Sequence, residues 1–521
     1  MTINQSTIKV LLLALFVCAV ACTENYEEYN TNPYNVTKEQ MKADGYNVSA
    51  ALVGLQGWVL PTNTNTFQFT DCLLGGSYGG YLADSNSGFN AGKFSTYNPQ
   101  LTWNKVPFND IIPKIFTNLT QVKSVTDDPV PLAIAMIIKV ASIVRITDIY
   151  GPIPYSKVGE DGSLTAPYDS QENVYNKMFD ELNQAIETLT VHKTEAISPN
   201  ADKVFSGNLI KWIKFANSMK LRMAMRIVYA NPTLSQTVSE DVVAHEVGPM
   251  SANSDNAYMT VTKTPFRVIC YEYNGGDSRI SADITSYMNG YNDPRRSFYF
   301  TQSTFQNGAT NGFVGLRNGI QIPANTIAQA YSNMNITSEE SKILWMNAAE
   351  TAFLKAEGAL RGWAMGGSAE TFYNEGIELS FEQWGASGAS SYMENSTNTP
   401  GAYVDPMGSF TYSGSPSTIT VKWNNSSTTE QNLERIITQK WIANFPLGLE
   451  AWAEFRRTGY PKLMPAVVNN SGGDVTDNEM ARRLTYPTSE YEENRANVNA
   501  ALGLLGGADK MSTHVWWDCK N

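Results

Sequence analysis

Histidine is nearly missing from this chain of 521 residues: His192, His245 and His514 are all it has. A zinc-binding helix needs a second histidine four positions after the first, and His245-Glu246-Val247-Gly248-Pro249 has proline there. Cysteine is almost as scarce. Cys18, Cys22, Cys72, Cys270 and Cys519 form no CxxC pair and no zinc-like spacing. A Cys72–Cys270 bridge stays open, with buried free thiols the expected state. The stretch from Gly88 to Ser95 has three residues between its glycines, where a phosphate loop requires four. Asp84-Ser85-Asn86-Ser87-Gly88 begins like a calcium loop, but Ser95 stands where the bidentate glutamate belongs. No cofactor is expected, although a structural calcium ion stays open. Lysine and arginine number 38 against 50 aspartates and glutamates, a formal charge of −12, and nowhere do they cluster. A nucleic-acid partner would need a basic face, so none is expected.

An apolar run long enough to span a bilayer, about 20 residues, is also missing from the N-terminus. What stands there is shorter: Lys9, the run Val10 to Val20, and then Ala21-Cys22. A short positive region, an apolar stretch of about 7–15 residues and a small residue at the cut make a secretory signal. With cysteine directly after it, residues 1–21 resemble a bacterial lipoprotein signal, and Cys22 is the expected acylation site. Ala19 departs from the leucine usual in such signals. Acyl chains, at about 0.8 kcal/mol per buried CH₂, would moor the chain to a membrane without a spanning helix. Residues 22–36, with Glu24, Glu27, Glu28 and Asn32-Pro33, read as an acidic, extended leader.

Beyond it, residues 37–521 are expected to form one domain. Apolar residues make up 42% of the chain, enough to fill a large core. Thr37 with Gln40 resembles a capping box ahead of Ala50 to Val59. The stretch from Pro131 to Ile149 is apolar almost all round, the mark of a helix buried on several sides. Ser170 to Leu189 carries Val174, Met178, Leu182, Ile186 and Leu189 on one stripe. Gly207 to Tyr229 stops at Asn231-Pro232, as helices do. Ser341 to Trp363 and Ser368 to Trp384 flank Gly366-Gly367, and Leu433 to Asn444 pairs with Leu449 to Arg457. Helices near 131–230, 341–385 and 433–457 joined by short Gly or Pro turns read as stacked hairpins. The fold class is thus mainly α.

Three long segments show no helical period: 61–107, 250–328 and 385–431. They are rich in Gly, Asn, Ser and Tyr, as in Gly75-Gly76-Ser77-Tyr78-Gly79-Gly80-Tyr81. Ordering loops this long costs entropy that a plain connection need not spend, so they are expected to form a loop-rich ligand lobe.

The motifs carry a resemblance. Asp148-Ile149-Tyr150-Gly151-Pro152-Ile153-Pro154-Tyr155-Ser156 comes first, then Tyr168-Asp169 and Leu182-Asn183-Gln184-Ala185-Ile186. Trp212 to Arg222, Asn292-Asp293-Pro294-Arg295, Ala356-Glu357-Gly358, Lys440-Trp441 and Phe455-Arg456-Arg457-Thr458-Gly459 follow in order. Together they look like the SusD/RagB family of outer-membrane nutrient-uptake lipoproteins. That resemblance implies tetratricopeptide-like hairpins topped by an irregular lobe. It also implies a lid on a SusC-type TonB-dependent transporter at the surface of a Gram-negative cell of Bacteroidota type, one that captures an oligosaccharide and is not an enzyme. RagB-like members carry peptides, which is the alternative. Most of the motifs read as structural, with Arg222, Arg226 and Arg295 holding helix ends or carboxylates.

A sugar ring presents a flat face of C–H groups and a rim of hydroxyls, so a glycan site needs aromatic platforms beside amides and few net charges. Tyr78, Tyr81, Phe89 and Asn90 make one such set. Tyr271, Tyr273, Asn274, Asp277 and Arg279 make another, and Asp71 is expected to line the same site. Any of these tyrosines could equally pack the base of its own loop. Trp103 reads as core and Cys270 as a small buried hydrophobe. Paired carboxylates for glycoside cleavage can lie far apart along a chain, yet no motif supports a hydrolase.

Overall fold

Eleven helices carry most of the regular structure in this computed structural model, which describes residues 45–159, 165–305, 312–414 and 416–520. They are α1 (Tyr46–Gln56), α2 (Ile112–Val125), α3 (Pro129–Tyr150), α4 (Gln171–Val191), α5 (Leu209–Arg226), α6 (Pro232–Ala244), α7 (Ala348–Leu360), α8 (Ala369–Trp384), α9 (Thr429–Ala443), α10 (Gly448–Thr458) and α11 (Arg495–Leu505). Six short strands, β1 (Leu82–Asp84), β2 (Ile153–Pro154), β3 (Tyr168–Asp169), β4 (Ala257–Thr260), β5 (Ser278–Ile280) and β6 (Lys342–Met346), form the antiparallel pairs β1–β5, β2–β3 and β4–β6. Residues from Ser49 onward cluster as one compact unit. The signal, Cys22, the leader and the Thr37/Gln40 box lie outside the described residues.

The mainly helical expectation holds. Asp128 caps α3 by accepting from Val130 N at 2.9 Å, Pro129 opens the helix, and nearly every later residue is buried. It is apolar and long enough to cross a membrane by composition, but α2 and α4 pack on it instead. The stripe foreseen on α4 is buried along its length. At the far end α7 packs on α8 and α9, and its Ala348, Ala349, Ala352 and Ala356 are buried.

Three expectations need correction. The stretch from Ser341 to Trp363 is not helical throughout: Lys342-Ile343-Leu344-Trp345-Met346 is β6 on β4. Its β-branched and aromatic residues suit a pleated surface, and α7 starts only where Asn347 accepts from Glu350 N at 2.7 Å. Helices α2, α6 and α11 appear where none was foreseen. The segment 61–107 is not a loose loop either. Gln68–Gly76 winds as a π-helix and is almost wholly buried. Its i→i+5 bonding shifts side chains off the 3.6-residue period, which is why no helix was legible there.

A charged network fills the centre of the helical part. Arg222 forks onto Glu350 at 2.6 and 2.7 Å. Arg226 reaches Glu450 at 2.6 Å, Glu454 at 2.7 Å and Asp148 at 3.4 Å. Lys440 lies 3.3 Å from Glu454 and 3.4 Å from Glu450. Arg457 binds Glu357 and Glu454, each through two hydrogen bonds, and Arg361 closes on Glu357 at 2.7 Å. The expected carboxylate-holding role of Arg222, Arg226 and Arg295 is what the structure shows, Arg295 forking onto Asp293.

Burial alone would push these glutamates up. Arg457 and Arg361 together outweigh it at Glu357, and Arg226, Arg222 and Lys440 together outweigh it at Glu450, leaving both at about 2, with Glu454 also held low. Unfolded, each would titrate near the ordinary glutamate value of about 4.3. Their stabilisation is therefore complete above that value and is lost as pH falls through about 2. Asp71 and Asp84, pushed up by burial to about 6, act with the opposite sign, but only above about pH 4. The melting midpoint, followed by circular dichroism, is expected to fall steeply between about pH 4 and pH 2. A midpoint that holds level through pH 2.5 would contradict this account of the network.

Candidate rim for a polar ligand

The ribbon β1–β5 pairs Leu82 with Ile280, Ala83 with Arg279 and Asp84 with Ser278. It thereby joins two segments nearly two hundred residues apart, the two that supplied the aromatic and amide sets. Just past it, Ser85 N donates to Asp277 O at 2.9 Å and Ser85 Oγ to Gly276 O at 2.8 Å. Asp277 is buried, and its carboxylate accepts from Gln68 at 2.7 Å, Asn86 at 2.8 Å and Asn274 at 2.9 Å. One carboxylate thus fixes three separate segments, each through a charge-assisted bond.

Arg279 works from the other side. It is buried and donates to the carbonyls of Cys270, Ser278 and Gly275, each at 3.0 Å. The guanidinium fills the place a side chain would need at Gly276, where φ is +117° and an added Cβ would sit 2.0 Å from Arg279 Nη1. Asp277 and Arg279 therefore position the loop and do not face a ligand.

Several of the expected contacts are turned inward. Asp71 is 4% exposed and pairs with Arg145 beside a cavity of about 40 Å³ among the helices. Burial pushes its carboxyl up to about 6 against the pull of Arg145. Tyr78 is buried against Trp452, ring centroids 4.9 Å apart, and its hydroxyl donates to Phe94 O at 2.9 Å. Tyr81 is fully buried, stacked on Trp441 with its hydroxyl on the Trp441 carbonyl. Packed rings and a paired carboxylate offer no face to a sugar, so the expectation for these three is corrected. Asn90 spends its amide on Ile322, donating to O and accepting from N at 2.9 Å each.

Phe89, Tyr271, Tyr273 and Asn274 keep exposed surface. Phe89 stands edge-on to Trp103 at 4.9 Å. Phe69, which sequence reading missed because it sits in the π-helix, lies tilted against the same indole at 5.1 Å. Trp103 is buried, as expected. Tyr273 donates to Asn65 at 3.3 Å, and Tyr271 lies under the Arg267 guanidinium, 4.0 Å from the ring centre, with its hydroxyl on Met334 O at 2.5 Å. Asn325 accepts from Ser87, and Gln329 donates to Asn274 O at 2.8 Å. The result is a rim of aromatic rings and carboxamides over the buried Asp277 and Arg279, with Arg267 lying on the Tyr271 ring. Such a surface can stack against C–H faces and exchange hydrogen bonds with hydroxyls. Cys72 and Cys270 are free and buried, and Cys519 is free and exposed. Among the described residues no three of His, Cys, Asp and Glu gather as a metal site.

Comparison with known proteins agrees with this architecture. A family profile described as SusD-like, SusD and RagB outer-membrane lipoproteins, matches residues 28–518. A SusD homologue from Bacteroides uniformis shares 48% identity over 91% of this chain and 100% of its own, with a TM-score of 0.87. One from Bacteroides ovatus shares 45% over 92% and 100%, also at 0.87. A chitin-binding SusD homologue from Flavobacterium johnsoniae shares 37% over 91% and 99%, again at 0.87. No curated protein sequence matches the chain. With a profile covering nearly its whole length and relatives this similar along theirs, the chain belongs to the SusD and RagB family of outer-membrane lipoproteins.

Proposed function

We propose that this protein captures a neutral oligosaccharide on the Phe89–Tyr273 rim and passes it to a SusC-type TonB-dependent transporter. Cys22 is the lipid-anchored residue that holds it at the outer surface of the outer membrane. The stacked helix pairs serve as the tetratricopeptide-like scaffold, which presents the partner face, and residues 37–521 act as one domain. The observation that carries the reading is the rim itself, rings and amides on exposed surface with Asp277 and Arg279 locked below. Membership of the family supports the transporter partner and the membrane location. A chitin-binding relative at 37% identity makes an N-acetylglucosamine oligomer the natural first probe.

Isothermal calorimetry against a panel of neutral oligosaccharides tests it, with peptides as the second arm. Heat with peptides and with no glycan would replace this reading by the RagB-like one. With a glycan that binds, Phe89→Ala is expected to weaken affinity about tenfold, the scale of one lost stacking contact, with little change in melting temperature. Tyr78→Ala should instead destabilise the fold by about 3–5 kcal/mol, as a buried aromatic does. If Phe89→Ala leaves affinity intact, the platform assignment is wrong.

A further inference from the structure

A cleft of about 420 Å³ opens between the helix Ala282–Gly290 and the chain around Gly401 to Val404, outside the rim described above. Its lining is mostly neutral and small, with Ser286, Asn289, Phe313, Tyr403 and Val404, the last 68% exposed. Arg296 is its one charged lining residue among those described.

That arginine is held, yet forms no ion pair among the described residues. Nε donates to Asp293 O at 2.8 Å, Nη1 to Asn289 Oδ1 at 3.2 Å and Nη2 to Asn292 Oδ1 at 2.6 Å. All three acceptors are neutral. The neighbouring carboxylate, Asp293, is taken by Arg295, which binds its two oxygens at 3.0 and 2.6 Å. Asn289 is fixed in turn by donating to Phe313 O at 2.7 Å, and the Phe313 ring lies 5.8 Å from the guanidinium. A guanidinium has five N–H groups. Three are spent on setting its orientation, which leaves one N–H on each terminal nitrogen for a further acceptor. Arg222, Arg226 and Arg457 in the helical network each have a carboxylate within reach, whereas the half-buried Arg296 has neutral acceptors alone. Partly desolvated, and with Asp293, the carboxylate that acts on it, already gripped by Arg295, Arg296 gains more from a further anion than a fully hydrated arginine would.

We propose that this cleft is a second ligand site that takes the carboxylate of a uronate-bearing oligosaccharide, Arg296 gripping the acid and Phe313 carrying the sugar ring. The partly exposed Phe313 ring beside the guanidinium favours a sugar over a peptide end. The proposal rests on the reading of the protein as a glycan binder, but it concerns residues that take no part in the rim. It makes the protein selective for acidic glycans at one position, despite a formal charge of −12 that opposes anions elsewhere.

The test is calorimetry with trigalacturonate and its methyl ester against the full-length protein, Arg296→Gln and Asn289→Asp. The free acid is expected to bind about tenfold or more tightly than the ester, the scale of a charge-assisted fork, and both substitutions should abolish that difference. Asn289→Asp acts by giving Arg296 an internal partner, so it keeps the test open should Arg296→Gln melt early. Equal affinity for acid and ester, or a preference that survives in both variants, overturns the proposal, as does binding of a free-carboxylate tripeptide in place of trigalacturonate. Loss of neutral-glycan binding in Phe89→Ala with the acid preference intact supports two sites. Failure of every neutral glycan while the acid preference stands removes the rim reading alone.

Discussion

Replacing Arg457 by methionine is expected to cost about 3–5 kcal/mol of folding stability, the loss seen when one partner leaves a buried ion pair. Arg457 is fully buried and forms four hydrogen bonds, two to Glu357 and two to Glu454. Methionine fills much of the volume but leaves two carboxylates with too few partners in the interior. Arg361 still reaches Glu357, and Lys440 with Arg226 still reaches Glu454, so the loss stops short of what an isolated pair of orphaned charges would produce. The remaining carboxyls should titrate higher, moving the acid transition upward in pH. Urea unfolding at pH 7 and pH 4 measures both effects. A loss under about 1 kcal/mol, the range of an exposed pair, would show that the network behaves as a surface one.

Gly448→Ala is the second large effect. Gly448 opens α10 where the π-helix Gln68–Gly76 crosses it, and a Cβ there would lie 2.3 Å from Gly75 C and 2.4 Å from Gly75 O. Both obstacles are backbone, which cannot rotate away. Overpacking of a tight contact costs about 1–3 kcal/mol and sometimes more, and here the upper end is expected. Because the same π-helix carries Phe69 and the Gln68 bond to Asp277, its displacement should also weaken glycan binding. Gly459→Ala is the control: its φ of +83° carries a conformational penalty of about 1–2 kcal/mol, but its Cβ meets open space. Midpoints of chemical unfolding that match for the two variants would sink the argument from close approach.

The two predictions draw on different kinds of legibility. Arg222, Arg226 and Arg295 read from sequence as holders of helix ends or carboxylates, since a buried charge has to be neutralised. Which glutamates answer them, over a hundred residues away in the case of Glu350, was not readable. Likewise Gly75 and Gly79 read as loop residues because glycine is common in turns. They are glycine because two backbones touch there. The aromatic sets split for the same reason. Tyr78 and Phe89 sit in one segment with similar neighbours, yet one packs on Trp452 and the other keeps an exposed edge beside Trp103. Phe69 went unnoticed because π-helical winding hides its period.

Periodicity, capping residues and the order of motifs were enough to establish a mainly helical chain of this family, because a helix is specified by neighbours three and four positions apart. Which tyrosines bury, which carboxylate answers which arginine, and where two glycines meet depend on partners brought in from distant parts of the chain. Only packing decides those, since burial and pairing belong to the contact and not to either residue in it.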